Sequence, residues 1–422
     1  MKDIRKPIFI GAAARALSGL AASGIVAVSL VSAGLVTAAV AQVTPLANTG
    51  RDAVQFSQMM EAGRDLQLGE TGAAASSRSY YQRVTGADLS KGVDLVTQSS
   101  GAVVRLTPIG TSAASPLRRG TGATTSTNGA ALRMEDLEIS RGGAEPVAVA
   151  RPGAAVADAA ALRSAQPGLF RDTLAFNVGD DLGKGRLRLR SRQQLAGAQE
   201  YMIHVFDKES ALQLRAETDR MSYFLEDGVT ARAELTGAAM RRRAEIRASL
   251  IGPNGQRFPL DVRRNGKGLD ITGRTPKNVN VVPGELWRVA ISYRDGEGDA
   301  PLFRDVEAPI ALGKRSAAIS RVRAARDGVK IAVNVSDAGR FEARAWVFAR
   351  KGDGAAEGAM LAYAAEWLDA GRNTLTLTPD VEALKAAGYR APFEIRQVQL
   401  LDQSRLMVLD TQNANGLSLK TR

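Results

Sequence analysis

Tyr293–Ala300 reads YRDGEGDA, with Asp295, Glu297 and Asp299 at alternate positions and glycines in the gaps. Carboxylates at this spacing in a glycine-rich loop are how calcium loops begin, because their oxygens can close on one hard cation. An EF-type loop also needs a bidentate acid at its twelfth position, and here that position is Val306. The nearby Arg294 and Arg304 add repulsion toward any cation. The competing reading is the polar tip of a hairpin, where Gly and Asp are expected for their backbone conformations alone. That reading is the stronger one. No cofactor is expected unless this loop takes calcium.

Few other residues are of types that do chemistry. The chain has one histidine, His204, set between Ile203 and Val205. A Ser-His-Asp triad would have to use it, and no G-x-S-x-G turn supplies the serine. With one His and no Cys, a zinc site is almost closed off. The GDDLGKG stretch lacks the spacing of a phosphate loop. A carboxylate pair of the glycosidase kind needs two acids brought together in space, which sequence spacing does not reveal; the aromatic content of 5% counts against a sugar cleft. The other candidate is GRLRLRSR, which aligns Arg186, Arg188, Arg190 and Arg192 on one face of a strand, about 6.6 to 7 Å apart. Such a stripe suits anion recognition, or equally a solvated face interleaved with acids from neighbouring strands.

The elements that must hold these residues lie behind an export signal. MKDIRKPIFIGAAAR is a basic leader, Leu17 to Val40 carries no charge, and Ala39 and Ala41 frame a small-x-small cleavage site. Residues 1–41 are therefore expected to be removed, leaving no membrane span. The protein is read as periplasmic or extracellular. Without cysteine, an exported chain has no disulfides, and each domain must rest on its own apolar core. The net charge is +12, and 44 of the 56 basic residues are Arg, the other 12 being Lys. An anionic cell-surface polymer or another macromolecule fits such a surface as partner, along with the export machinery. No nucleic acid is expected.

The fold class is read as mainly β: tandem immunoglobulin-like β-sandwiches behind a less regular α+β region. DGVTARAELTG at Asp227 and DGVKIAVNVSD at Asp327 repeat one hundred residues apart, each as an alternating strand followed by further short strands and turns. The expected domains are 211–313 and 316–422. Residues 42–210 form the N-terminal region, with a flexible Ser/Thr/Gly-rich loop at 110–132. Within that region VQFSQMMEAGRDL is read as a short helix and GVDLVTQSSGAVVRLTPIG as paired strands. Ala154–Ala165 is read as a second helix and EYMIHVFD as a buried strand. Trp287 and Trp346 are expected in the sandwich cores. The alternation around Trp346 fails, which calls for a bulge or a strand buried on both faces.

LQLRAETDRMSYFLEDGVTARAEL, PGELWRVAISYRDGEGDAPLFRDVEAPIAL, WLDAGRNTLTL and PFEIRQVQLLDQSRLMVLD resemble domain-of-unknown-function family 4785. The resemblance implies exported proteins of Gram-negative bacteria with immunoglobulin-like sandwiches, some relatives leaving the cell by type II secretion. It implies no active-site residues. Three functions follow as alternatives. The first is an exported, non-enzymatic binding or structural module, the second a hydrolase using a carboxylate pair in or beside the N-terminal region, and the third a polyanion-binding surface protein.

Overall fold

The computed structural model describes residues 51–61, 72–109, 132–152, 155–157, 173–298, 301–326 and 328–419. The protein is mainly β and builds three separate apolar cores. Among the described residues no helix is long and apolar enough to cross a membrane. The first core, around Tyr80, Leu95, Leu106, Leu187 and Ile203, lies between two sheets. One has Gly185–Ser191 between Val93–Thr97 and Leu137–Arg141. The other has Glu200–Phe206 between Ser79–Thr85 and Val103–Ile109. A short helix, Gly86–Lys91, starts at a capping box in which Thr85 and Asp88 satisfy each other's backbone N–H groups.

The second core belongs to a nine-stranded sheet that runs from Ser222–Phe224 at one edge to Ala74–Ser77 at the other. Residues from distant strands of that sheet, Val229 and Ala231 against Val289 and Ile291, share one cluster, so the sheet curls over on itself. Strand Arg257–Asn265 makes the corner: its first half pairs with Glu245–Ile251 and its second half with Gly268–Arg274. The third core is enclosed by a three-stranded and a five-stranded sheet. The two DGV strands hold equivalent places. Gly228–Thr236 lies between Gln213–Thr218 and Gly268–Arg274, and Gly328–Val335 lies between Ala317–Ala325 and Gly371–Leu377. In both, two strands intervene before the return. Asp327 itself lies outside the described residues.

Several local readings change. Residues 54–59 form a strand, Val54–Met59, and not a helix; it pairs with Glu357–Leu368, because backbone hydrogen bonds to an open sheet edge outweigh a weak helical pattern. Ala74–Ser77 similarly joins the nine-stranded sheet, so the N-terminal region lends strands to both later sheets. Within the expected Ala154–Ala165 helix, Val156–Ala157 is a strand paired with Leu174–Asn177; residues 158–165 lie outside the described residues. Val93–Thr97 and Val103–Ile109 are strands, but they enter opposite sheets instead of pairing. The signal region and loop residues 110–131 lie outside the described residues. Glu200–Phe206 is the buried strand expected.

Trp287 is buried in the second core, whereas Trp346 is not part of the third. Its strand, Gly339–Lys351, turns Phe341, Ala343, Ala345 and Val347 inward. Trp346 therefore shares the outer face with Glu342 and Arg344. A register shift between Val347 and Phe348 breaks the alternation there.

Candidate functional site

Along Gly185–Ser191 the leucines are buried and Arg186, Arg188 and Arg190 are exposed, with Arg192 continuing the row. The flanking strands answer this stripe with two acids. Asp94 lies 3.2 Å from Arg186 and 3.6 Å from Arg188, while Glu138 lies 2.7 Å from Arg190 and 3.5 Å from Arg192. Three of the four also donate to carbonyls: Arg186 to Gly296, Arg188 to Lys91 and Arg192 to Glu135. The stripe is thus an interleaved face with a surplus of two positive charges. Half-exposed pairs of this kind contribute about 0 to 1 kcal/mol. Arg188→Gln/Arg190→Gln is accordingly expected to leave the melting temperature nearly unchanged, as read by circular dichroism. A fall of roughly ten degrees would show that these pairs carry the sheet.

Arg186 reaches the YRDGEGDA loop, so the sequence's two candidate sites adjoin. Asp295 is buried, and Arg241 Nε sits 3.1 Å from its carboxylate. The same arginine donates to the Glu297 carbonyl at 3.1 Å, and Arg243 approaches the Glu297 carboxylate at 3.6 Å. A calcium ion at Asp295 would have to displace a guanidinium. Asp299 lies outside the described residues, among which no group of three or more His, Cys, Asp or Glu gathers as metal ligands.

His204 is buried, stacked on Tyr81 with ring centroids 4.5 Å apart, and directly opposite Arg105 in the sheet. Its Nε2 has no hydrogen-bond partner. Burial first, and Arg105 second, push its pKa down to about 3. The unfolded chain takes up a proton near pH 6.5, the folded one only near 3, so His204 costs stability as pH falls through that window. His204→Phe should therefore flatten the decline in melting temperature between pH 7 and pH 4; an unaltered slope would mean the imidazole is solvated.

The first sheets and the nine-stranded sheet are pinned by a wholly buried ion pair, Arg304 to Asp207 at 2.9 Å. Arg304 also donates to the Leu212 carbonyl at 3.0 Å and to Ser210 Oγ at 3.1 Å, and Asp207 accepts from the Gln98 backbone N–H at 2.9 Å. Beside it Arg294 grips Asp305 at 2.7 and 2.8 Å and donates to the Tyr81 carbonyl at 3.1 Å. Two of the acids that the sequence offered for a calcium loop, Asp295 and Glu297, are likewise met by arginines, Arg241 and Arg243.

The outer face of the five-stranded sheet has a different character. Register sets Phe56, Tyr363, Arg344, Gln399 and Thr411 in one row across five strands. Leu361, Trp346, Gln397 and Asn413 form the next row. Phe56 is 49% exposed and lies 5.3 Å from Tyr363, ring centre to ring centre. Farther along, Trp367 stands opposite Arg340 and carries the Arg51 guanidinium 5.4 Å above its ring. In the middle, the buried Glu342 accepts hydrogen bonds from Arg344 and Gln403. Thr411 Oγ1 has no partner. Two of the three tryptophans of the chain are on this face.

Residues 45–207 match the model of the N-terminal domain of DUF4785, a domain of unknown function, and residues 315–418 match that of its C-terminal domain. The chain belongs to the DUF4785 family. A crystal structure of a DUF4785 family protein from Legionella pneumophila resembles it with a TM-score of 0.61 at 20% identity, over 86% of this chain and 92% of that one. At that identity the likeness speaks to the fold alone. A search of curated proteins finds no match.

The DUF4785 chain thus has one surface that strand patterning alone did not disclose. Trp346 was the available signal, since its parity with Glu342 and Arg344 placed it on the polar side of its strand. What single-strand periodicity cannot show is that Phe56 comes from a segment about three hundred residues away to stand beside Tyr363.

Proposed function

We propose that this is an exported, non-enzymatic binding protein, built of immunoglobulin-like units at 211–313 and 316–422 behind residues 42–210, that recognises another macromolecule through the outer face of its five-stranded sheet. The leader at residues 1–41 supports delivery to the periplasm or the cell exterior. The observation that carries the reading is that face: Phe56 stands exposed beside Tyr363, and the half-buried rings of Tyr363 and Trp346 are set among planar polar side chains. The hydrolase alternative finds less support, because Asp295, Asp305 and Asp207 are each engaged by an arginine. The arginine stripe supports polyanion binding only through its surplus of two charges.

The test uses the mature chain and isolated Gram-negative cell envelopes. Wild type should sediment with them, Trp346→Ala/Tyr363→Ala should stay in solution, and neither should turn over peptide, ester or glycoside substrates. Retention of the double variant on envelopes, or turnover by wild type that the variant keeps, would remove this reading.

A further inference from the structure

We infer that the polymer recognised by this face is a glycan strand; the inference rests on the binding function just proposed and names its ligand class. Sugar rings present apolar C–H faces and an equatorial fringe of hydroxyls. A surface that binds them needs flat rings to stack on and, between those rings, groups that both donate and accept. Tyr363 and Trp346 lie on adjacent strands two residues apart, the diagonal spacing at which large side chains reach one another at about 7 to 8 Å. Gln399 stands opposite Arg344 on the next strand, and its half-buried amide offers two donors and an acceptor; Gln397, opposite Trp346, is buried beneath it. Arg344 sits between Tyr363 and Gln399, its guanidinium tied to the buried Glu342. A side chain already held in place loses less entropy when it binds.

Two other occupants fit less well. The centre of a protein–protein interface is depleted of charge, and the centre of this face holds Arg344 and Glu342. A lipid surface calls for a continuous apolar patch, and here Tyr363, Trp346 and Trp367 each stand opposite an amide or a guanidinium. The face also spans five strands, about 19 Å across four inter-strand gaps. That is the shape to take a chain along its length. Val54–Met59 extends the platform by one strand and contributes Phe56 beside Tyr363.

The probes are soluble polysaccharides in native affinity gels: laminarin, mannan and xyloglucan as neutral chains, alginate and polygalacturonate as acidic ones. At least one should retard the mature protein. Trp346→Ala and Tyr363→Ala, made separately so that one can stand if the other fails to fold, should each weaken binding at least tenfold with little change in melting temperature. Arg188→Gln/Arg190→Gln should bind as wild type does. Retardation by a neutral chain assigns the contact to ring stacking, and retardation by acidic chains alone assigns it to Arg344; both support a glycan ligand. The inference fails if no polysaccharide retards the protein, or if both aromatic variants bind normally. In the envelope assay, periodate treatment of the envelopes should abolish sedimentation and proteinase treatment should not. The reverse would identify a protein partner, overturning the glycan while leaving the binding function in place.

Discussion

Arg304→Met is expected to destabilise the protein by about 3 to 5 kcal/mol, the cost of leaving one member of a buried ion pair uncompensated. Arg304 and Asp207 are both wholly enclosed, so water cannot take over the lost contact. Arg304→Met/Asp207→Leu should recover most of the loss, because the double variant buries no charge. Burial already pushes the Asp207 carboxyl up from its ordinary value, with Arg304 pulling it back. Without the arginine it rises further. The unfolded chain then ionises at a pH where the folded variant still resists, so the deficit grows as pH rises through the carboxylate range and is smallest in acid. Denaturant unfolding at pH 4 and pH 7 checks both halves. A single variant within about 1 kcal/mol of wild type at pH 7, or a double variant no better than the single, would show that the pair is hydrated.

The consequence reaches beyond stability. Asp207 directly follows the strand of His204, and Arg304 is in the strand beside that of Trp287. With Arg294, Asp305 and Tyr81 next to it, the pair fixes the first sheets against the nine-stranded one. Such a junction suits a rigid protein that presents a surface better than one that closes on a substrate. It is consistent with recognition on an exposed sheet face.

How much of this was legible in the sequence depends on the range of the interaction. Period-two strands were, since each residue's face follows from its own parity: Val229, Ala231 and Ala233 are inward as the alternation requires. The arginine stripe was legible as a stripe, but Asp94 and Glu138 were not identifiable as its partners, because strand pairing sets them. That Arg241 and Arg243 stand against Asp295 and Glu297 was equally hidden, because the fold and not the spacing brings them together. Trp346 is expected in the core for its size, yet the strand obeys the parity that Trp346 shares with Glu342 and Arg344 as far as Val347, and that parity turns it outward. The aromatic face was the least legible feature. Phe56, Trp346, Gln399 and Thr411 come from four separate strands, and no window of sequence contains them together.

The two tryptophans give the cleanest test of those face assignments. Trp287 is 2% exposed and packs its ring 5.9 Å from that of Phe258, in one cluster with Val289 and Ile291. Gly252 lets the ring approach the backbone: a Cβ there would lie 3.2 Å from it. Trp287→Ala removes this packing and leaves a cavity that a curled sheet, held on all sides by its own ladder, collapses into only in part. The expected loss is about 3 to 5 kcal/mol, which for a unit of this size lowers the melting temperature by roughly ten degrees or more. Trp346→Ala truncates the same side chain on the outer face, where no core closes over it, and should move the melt far less. Scanning calorimetry of both variants beside wild type decides the matter. Equal shifts would place both rings in cores, and the recognition surface would then lose its central aromatic.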